Sequence, residues 1–223
     1  MARIKIGNVR TPIDYLKQYF APVGFGYGNE TMQYIDGNEI GLESLLSEML
    51  VTMKSKSTKQ ISFTCSDGTL YGKGRFVATI CKNDSQYAHI YATTYNNYAV
   101  MKSFYNGAWK PFEWLNPPMA IGVEYRTTER FKEKPVYRKI VAYNLPASTN
   151  TDFSVPHGIS NFDTLVRQTA SVGAGIPLPY THNGNTTTVK ETDTTNIKVS
   201  NTGQAWDSSY TWNFYLYYTK TTD

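Results

Sequence analysis

The sequence predicts a mainly β protein: a small N-terminal helical segment, an antiparallel β-meander knob, and a C-terminal antiparallel β-sandwich head. Three observations carry that reading. From Lys59 onward apolar and polar residues alternate at period two in short runs, as strands with one buried face require. The early runs are separated by Asp67-Gly68, Asn83-Asp84, Asn96-Asn97 and Asn106-Gly107, pairs that suit tight hairpin turns. Eighteen Tyr, ten Phe and four Trp, set against 18% charged residues, favour half-buried pleated surfaces.

The elements follow in order. Met1 to Arg10 alternates Ile4 and Ile6 with Lys5 and reads as a short strand or arm. Thr11-Pro12-Ile13-Asp14 specifies a helix start, with a capping hydroxyl, proline at the first helical position and an acid in the first turn. Ile13, Leu16 and Phe20 share one face, and Ala21-Pro22 ends this short helix. Gly24, Gly26 and Gly28 follow, but a phosphate-cradling loop needs a strand before it and a helix directly after it, so the segment reads as an irregular loop. Leu42, Leu45, Leu46, Met49, Leu50 and Met53 form an apolar stripe at helical period from about Gly41 to Ser55. That helix either packs on its own domain or bundles with copies of itself, and about two heptads is short for a free-standing coiled coil.

Strands are expected at Ile61–Ser66, Arg75–Lys82, Gln86–Tyr95, Tyr98–Tyr105 and Ala108–Trp114, closing at Asn116-Pro117-Pro118. The stretch Gly122 to Val141 is the joint of the molecule. Its charges interleave in sign, from Glu124 and Arg126 to Glu133 and Lys134, as on a solvated strand or hairpin. Beyond it, Pro135–Tyr143, Phe153–Pro156, Phe162–Ser171, Thr187–Glu191, Thr195–Ser200 and Ser209–Tyr218 read as five or six strands of a sandwich of about a hundred residues. The expected domains are 1–58, 59–118 and 119–223.

Several function classes are disfavoured. A net charge of +4, dispersed among acids, does not argue for nucleic acid. The first twenty residues lack an apolar run of signal-peptide length, and no stretch reaches the roughly twenty apolar residues of a membrane span, so neither secretion nor membrane insertion is expected. Three scattered histidines and two cysteines offer no zinc-type spacing, and no metal or cofactor is expected. Cys65 and Cys81 each lie in a strand-like run; both a disulfide and two free thiols are open. No Gly-x-Ser-x-Gly occurs, and nothing links His89, His157 or His182 to a nucleophile. Asp152, Asp163, Glu191, Asp193 and Asp207 can supply a carboxylate pair for glycoside hydrolysis, but the chain has no internal repeat of the kind a long parallel β-helix requires. No catalytic residue is assigned.

Two sets of motifs carry a resemblance. Tyr125-Arg126-Thr127-x-Glu129 with Lys134-Pro135-Val136-Tyr137-x-Lys139, Val155 to Asn161, and the terminal Leu216 to Asp223 resemble the C-terminal heads of tail-fibre and receptor-binding proteins of tailed bacteriophages. Tyr105 to Leu115 resembles the closing motif of the pyocin-knob module of phage and pyocin fibres, a likeness covering roughly fifty-five residues. It departs from that pattern at Phe112, where a second Trp is usual. Trp109 and Phe112 then read as core aromatics under the hairpin. The resemblance implies a non-enzymatic virion protein of a phage, prophage or tail-like particle, made in the host bacterial cytoplasm. It further implies docking to tail or baseplate proteins through the N-terminal region, a homotrimer, and adsorption to a bacterial cell-surface polysaccharide. The alternatives are a tail-spike depolymerase and a bacterial surface adhesin.

Sugars are held by aromatic faces together with amide, carboxylate and hydroxyl partners. Tyr180, His182 and Asn185 in one loop, and Trp206, Asp207 and Tyr210 in another, offer those types and are the candidate glycan-binding residues. Trp206 is the first of them, although plugging the end of the sandwich explains it equally well. In the last strand Tyr210, Trp212, Phe214, Leu216 and Tyr218 share the core face. Tyr215 and Tyr217 add two large rings to the opposite face, which a lone sandwich leaves polar, and they are the candidate oligomer interface.

Overall fold

The computed structural model describes residues 33–36, 47, 50–51, 53–65, 74–94, 97–145, 150–173 and 175–223. The chain divides into two compact units, Met1–Asn116 and Pro117–Asp223. The expected N-terminal arm, first helix and glycine loop lie outside the described residues. Of the second expected helix, Ser47, Leu50 and Val51 are described and are helical, whereas Met53, Lys54 and Ser55, expected inside it, lie in a bend and turn beyond its end.

In the first unit β1 (Gln33–Asp36) runs parallel to β2 (Ser57–Cys65), a pairing the sequence pattern did not indicate. The rest is an antiparallel meander: β2, β3 (Gly74–Lys82), β4 (Tyr87–Thr94), β5 (Ala99–Tyr105), with β6 (Ala108–Trp109) and β7 (Glu113–Trp114) both against β5. Period-two patterning buries Ala78, Ile80, Ala88, Ile90, Ala92 and Val100 on one face, while Tyr87, His89 and Tyr91 point outward. Asn106 and Gly107 both take positive φ (56° and 80°), the paired left-handed conformation of a type I′ turn, which Asn-Gly adopts at little cost.

The single strand expected over Ala108–Trp114 is two. Lys110 and Pro111 separate them, and proline has no N–H to give a ladder. Trp109 is half-buried, edge-on to Phe104 at 5.1 Å, with its indole N–H donating to Ser47 Oγ at 2.9 Å. The Lys102 ammonium sits 4.3 Å from the Phe112 ring centroid. Lys82 Nζ donates to the carbonyls of Leu50 and Met53, satisfying acceptors at the end of the helical turn.

Register settles the cysteine question. Cys81 lies opposite Thr58 and Cys65 opposite Gly74, which places the two cysteines about seven residue steps, or roughly 24 Å, apart along neighbouring strands. That is beyond disulfide reach, and Cys81 is a free thiol.

The second unit has two antiparallel sheets. One is ordered β8 (Glu124–Phe131), β9 (Lys134–Asn144), β16 (Thr211–Lys220), β11 (Phe162–Val172), β12 (Ile176–Pro177). The other is ordered β10 (Phe153–Pro156), β15 (Asn196–Asn201), β14 (Asn185–Thr192), β13 (Tyr180–His182). The segment Tyr180–Asn185, expected as a loop, is therefore a hairpin: Asn183 and Gly184 at φ 50° and 80° form a two-residue turn between paired strands.

The core draws from both sheets: Val141 of β9, Val155 of β10, Ala170 and Val172 of β11, Ile197 and Val199 of β15, and Trp212, Phe214, Leu216 and Tyr218 of β16. Strand β16 alternates as expected, with these four side chains buried and Asn213, Tyr215 and Tyr217 half-buried on the other face. Burying side chains of this size is worth about 1.5–3 kcal/mol each, and β16 supplies more of them to this core than any other strand.

Candidate functional site

The site begins with the β13–β14 hairpin, whose register sets Tyr180 against Thr187, Thr181 against Thr186 and His182 against Asn185. The connection from β15 to β16, residues 202–210, docks on that hairpin. The Thr202 amide donates to the Thr186 carbonyl at 2.9 Å, and the Thr186 amide donates to Thr202 Oγ1 at 2.8 Å. Two loops that are about twenty residues apart in sequence are thereby locked together.

Beneath them lies a buried polar relay. The Trp206 indole N–H donates to Thr187 Oγ1 at 3.0 Å, Thr187 Oγ1 donates to Asn201 Oδ1 at 2.9 Å, and Asn201 Nδ2 donates to the Gln204 carbonyl at 2.8 Å. Trp206, Thr187 and Asn201 are all buried, so each polar atom in the relay needs the partner it has. Trp206 is 3% exposed and belongs to the sandwich core, with Tyr180, Tyr210 and Trp212 at centroid distances of 5.7, 5.3 and 5.3 Å. No ring face of Trp206 remains open to a sugar; it positions the rings around it.

Tyr180 is half-buried and stacks on exposed His182 at 6.2 Å, with 15° between the planes. Two glycines let the remaining side chains seat. Gly173 has φ +58°, and a Cβ there would lie 3.1 Å from the Tyr210 ring; Gly203 has φ +91°, and a Cβ there would lie 3.0 Å from Asn185 Oδ1. Asp207 is exposed and caps its own turn, accepting from the Ser209 amide at 2.8 Å and from the Ser209 hydroxyl. Those bonds hold its carboxyl below the usual carboxylate range. Asp152 is held down likewise, chiefly by the Asn201 amide.

The structure thus brings Tyr180, His182, Asn185, Trp206, Asp207 and Tyr210 to one end of the sandwich. Thr187, Asn201, Thr202, Gly173 and Gly203, which support them, carry no sequence signal that separates them from the many other Thr, Asn and Gly of the chain. Tyr215 and Tyr217 lie elsewhere, on the outer face of β16. Tyr217 is flanked in register by Arg138 and Arg167, whose guanidinium carbons sit 5.1 and 4.0 Å from its ring centroid. Glu129 pairs with both arginines, at 3.2 Å to Arg167. The ring expected to seek a second chain therefore already has cationic neighbours within its own.

No protein-family model and no curated protein matches the chain. Among solved structures it is similar to an N-truncated R2-type pyocin tail fibre, at 9% identity over 86% of this chain and 99% of that one, with a TM-score of 0.27. It is also similar to the C-terminal parts of the R2 and R1 pyocin fibres of P. aeruginosa, each at 10% identity over 87% of this chain. These cover 68% and 69% of those chains, with TM-scores of 0.26 and 0.28. Scores this low transfer no residue role.

Proposed function

We propose that the chain is a receptor-binding part of a phage, prophage or tail-like fibre, which adsorbs the particle to a bacterial cell-surface glycan without cleaving it. One observation carries the reading: Tyr180, His182, Asn185, Asp207 and Tyr210, rings beside amide and carboxylate groups, are presented together on a locked pair of loops. That is the chemistry a sugar's C–H face and hydroxyls require. The motifs resembling phage fibre heads and the pyocin knob agree with it. On this reading residues 119–223 are the receptor-binding head, 59–118 a knob module, and 1–58 the segment that docks to tail or baseplate proteins. The particle-borne protein is made in the bacterial cytoplasm and works as a homotrimer, with Tyr215 and Tyr217 near the contact between chains.

Binding rather than hydrolysis is supported by the head's carboxylates. Four of the five acids named above for such a pair, Asp152, Asp163, Asp193 and Asp207, are held below the usual range by hydrogen-bond donors, whereas a glycosidase acid needs a raised value. The test uses the full-length chain against a panel of bacterial strains and their extracted surface polysaccharides. Saturable binding that weakens at least tenfold in a His182→Ala, Asn185→Ala double variant supports the proposal. Release of reducing ends from a bound polysaccharide would replace it with a depolymerase.

A further inference from the structure

The hairpin end of the second unit has a charge pattern of its own. Lys and Arg occur on β8, β9 and β11 and at Lys190, Lys198 and Lys220, but none lies in 171–189 or 199–219, the stretches that build the site. Carboxylates do lie there. Asp152 anchors the Asn201 amide at 2.8 Å, and the exposed Asp207 carboxylate is held, among the described residues, by Ser209. Their depressed pKa values keep both negative at neutral pH. Lys190 is the cation whose charge reaches Asp152; at Asp207 the donors are a neutral amide and a hydroxyl.

We propose that this site takes an uncharged polysaccharide and rejects acidic wall polymers bearing phosphodiester, sulfate or uronate groups. The inference rests on the reading that this end of the head binds a glycan. Recognition of phosphate or carboxylate draws its strength from guanidinium or ammonium donors, and the site-building stretches supply none. Asp207, exposed and next in sequence to Trp206, instead adds a negative charge at this end of the sandwich, and repulsion between like charges is not screened away within about one Debye length, roughly 8–10 Å. An uncharged sugar meets what is present: the Tyr180 ring for its C–H face, and the Asn185 and Gln204 amides with the Thr181 hydroxyl for its hydroxyl or acetamido groups. The guanidiniums of Arg138 and Arg167, which have the right chemistry for an anion, are on the outer sheet face and are engaged with Glu129 and Tyr217.

The experiment places the full-length chain and its His182→Ala and Asn185→Ala variants on a glycan array with matched uncharged, phosphorylated, sulfated and uronate-bearing members. The pH is about 8, and salt is about 0.05 M and about 0.5 M. Circular dichroism confirms that each variant is folded. The expected result is a signal on uncharged members that the variants weaken and that changes less than about twofold with salt. A variant-sensitive signal on acidic members, falling steeply with salt, overturns the charge preference and leaves glycan binding standing. A chain with no variant-sensitive signal on any member overturns both.

Discussion

The indole N–H of Trp206 and the hydroxyl of Thr187 are 3.0 Å apart, both residues are buried, and the same hydroxyl passes its own proton to Asn201. Thr187→Val keeps the shape and removes the bonds, stranding a buried indole N–H and an amide oxygen. The expected loss is about 1–3 kcal/mol, read from urea unfolding. Thr187→Ser, which restores the hydroxyl, should recover more than half of it; equal losses in the two variants would mean that packing, not the relay, holds this end together.

His157 makes the second unit sensitive to mild acid. It is buried, its Nδ1 accepts the Ile159 amide at 3.1 Å, and its Nε2 proton goes to the Asp193 carbonyl at 3.1 Å. Burial lowers its pKa, so the folded state favours the neutral ring. The unfolded chain then takes up the proton first as pH falls through about 6.5, and stability that is full above that value declines below it. The slope is at most about 1.4 kcal/mol per pH unit until the folded pKa is reached. Urea midpoints between about pH 5 and about pH 8 should show this decline in the parent, and a flatter profile in a folded His157→Gln variant.

Gly203 and Gly184 separate strain from collision. Both have positive φ, but a Cβ at Gly184 meets nothing within 4 Å, whereas one at Gly203 meets Asn185. Gly184→Ala should cost about 1 kcal/mol of backbone strain and leave the seat of Asn185 alone. Gly203→Ala should cost more and also shift the Asn185 side-chain amide resonances in NMR spectra. Unchanged resonances would mean that the loop yields without moving the site.

The proposed trimer is tested at Tyr215. Tyr217 is flanked by two arginines of its own chain, while Tyr215 lies between Ile140 and Thr169 on the same outer face. Light scattering should give about three times the 25.2 kDa chain mass, and Tyr215→Asp should shift it toward one. A stable monomer of the parent at micromolar concentration would sink the trimer.

Much of the fold was legible because turns and alternation are local. Asn106-Gly107 announced its hairpin, and the residues from Tyr210 to Tyr218 announced the two faces of β16. The β1–β2 parallel pairing is a long-range choice between backbones, which local periodicity does not encode. The strand reading across Pro111 overran a break that the missing N–H dictates. At the candidate site, the sequence identified two segments rich in rings and amides but not their division of labour. Trp206 stands among polar residues that face solvent, and only the docking of 202–210 on the hairpin turns its ring inward.

Strand β16 is bonded on both sides, to β9 and to β11. Its partner on one side precedes it by about seventy residues and on the other by about fifty, so two wide chain loops must close before the sheet has a centre. Contacts of such separation are slow to find. Until β16 inserts, β9 and β11 each present an unpaired edge beside exposed apolar side chains, a state open to pairing with a neighbouring chain. The strand that supplies most to this core is therefore also the one expected to seat last, and refolding yields that fall as chain concentration rises would show copies competing for its place.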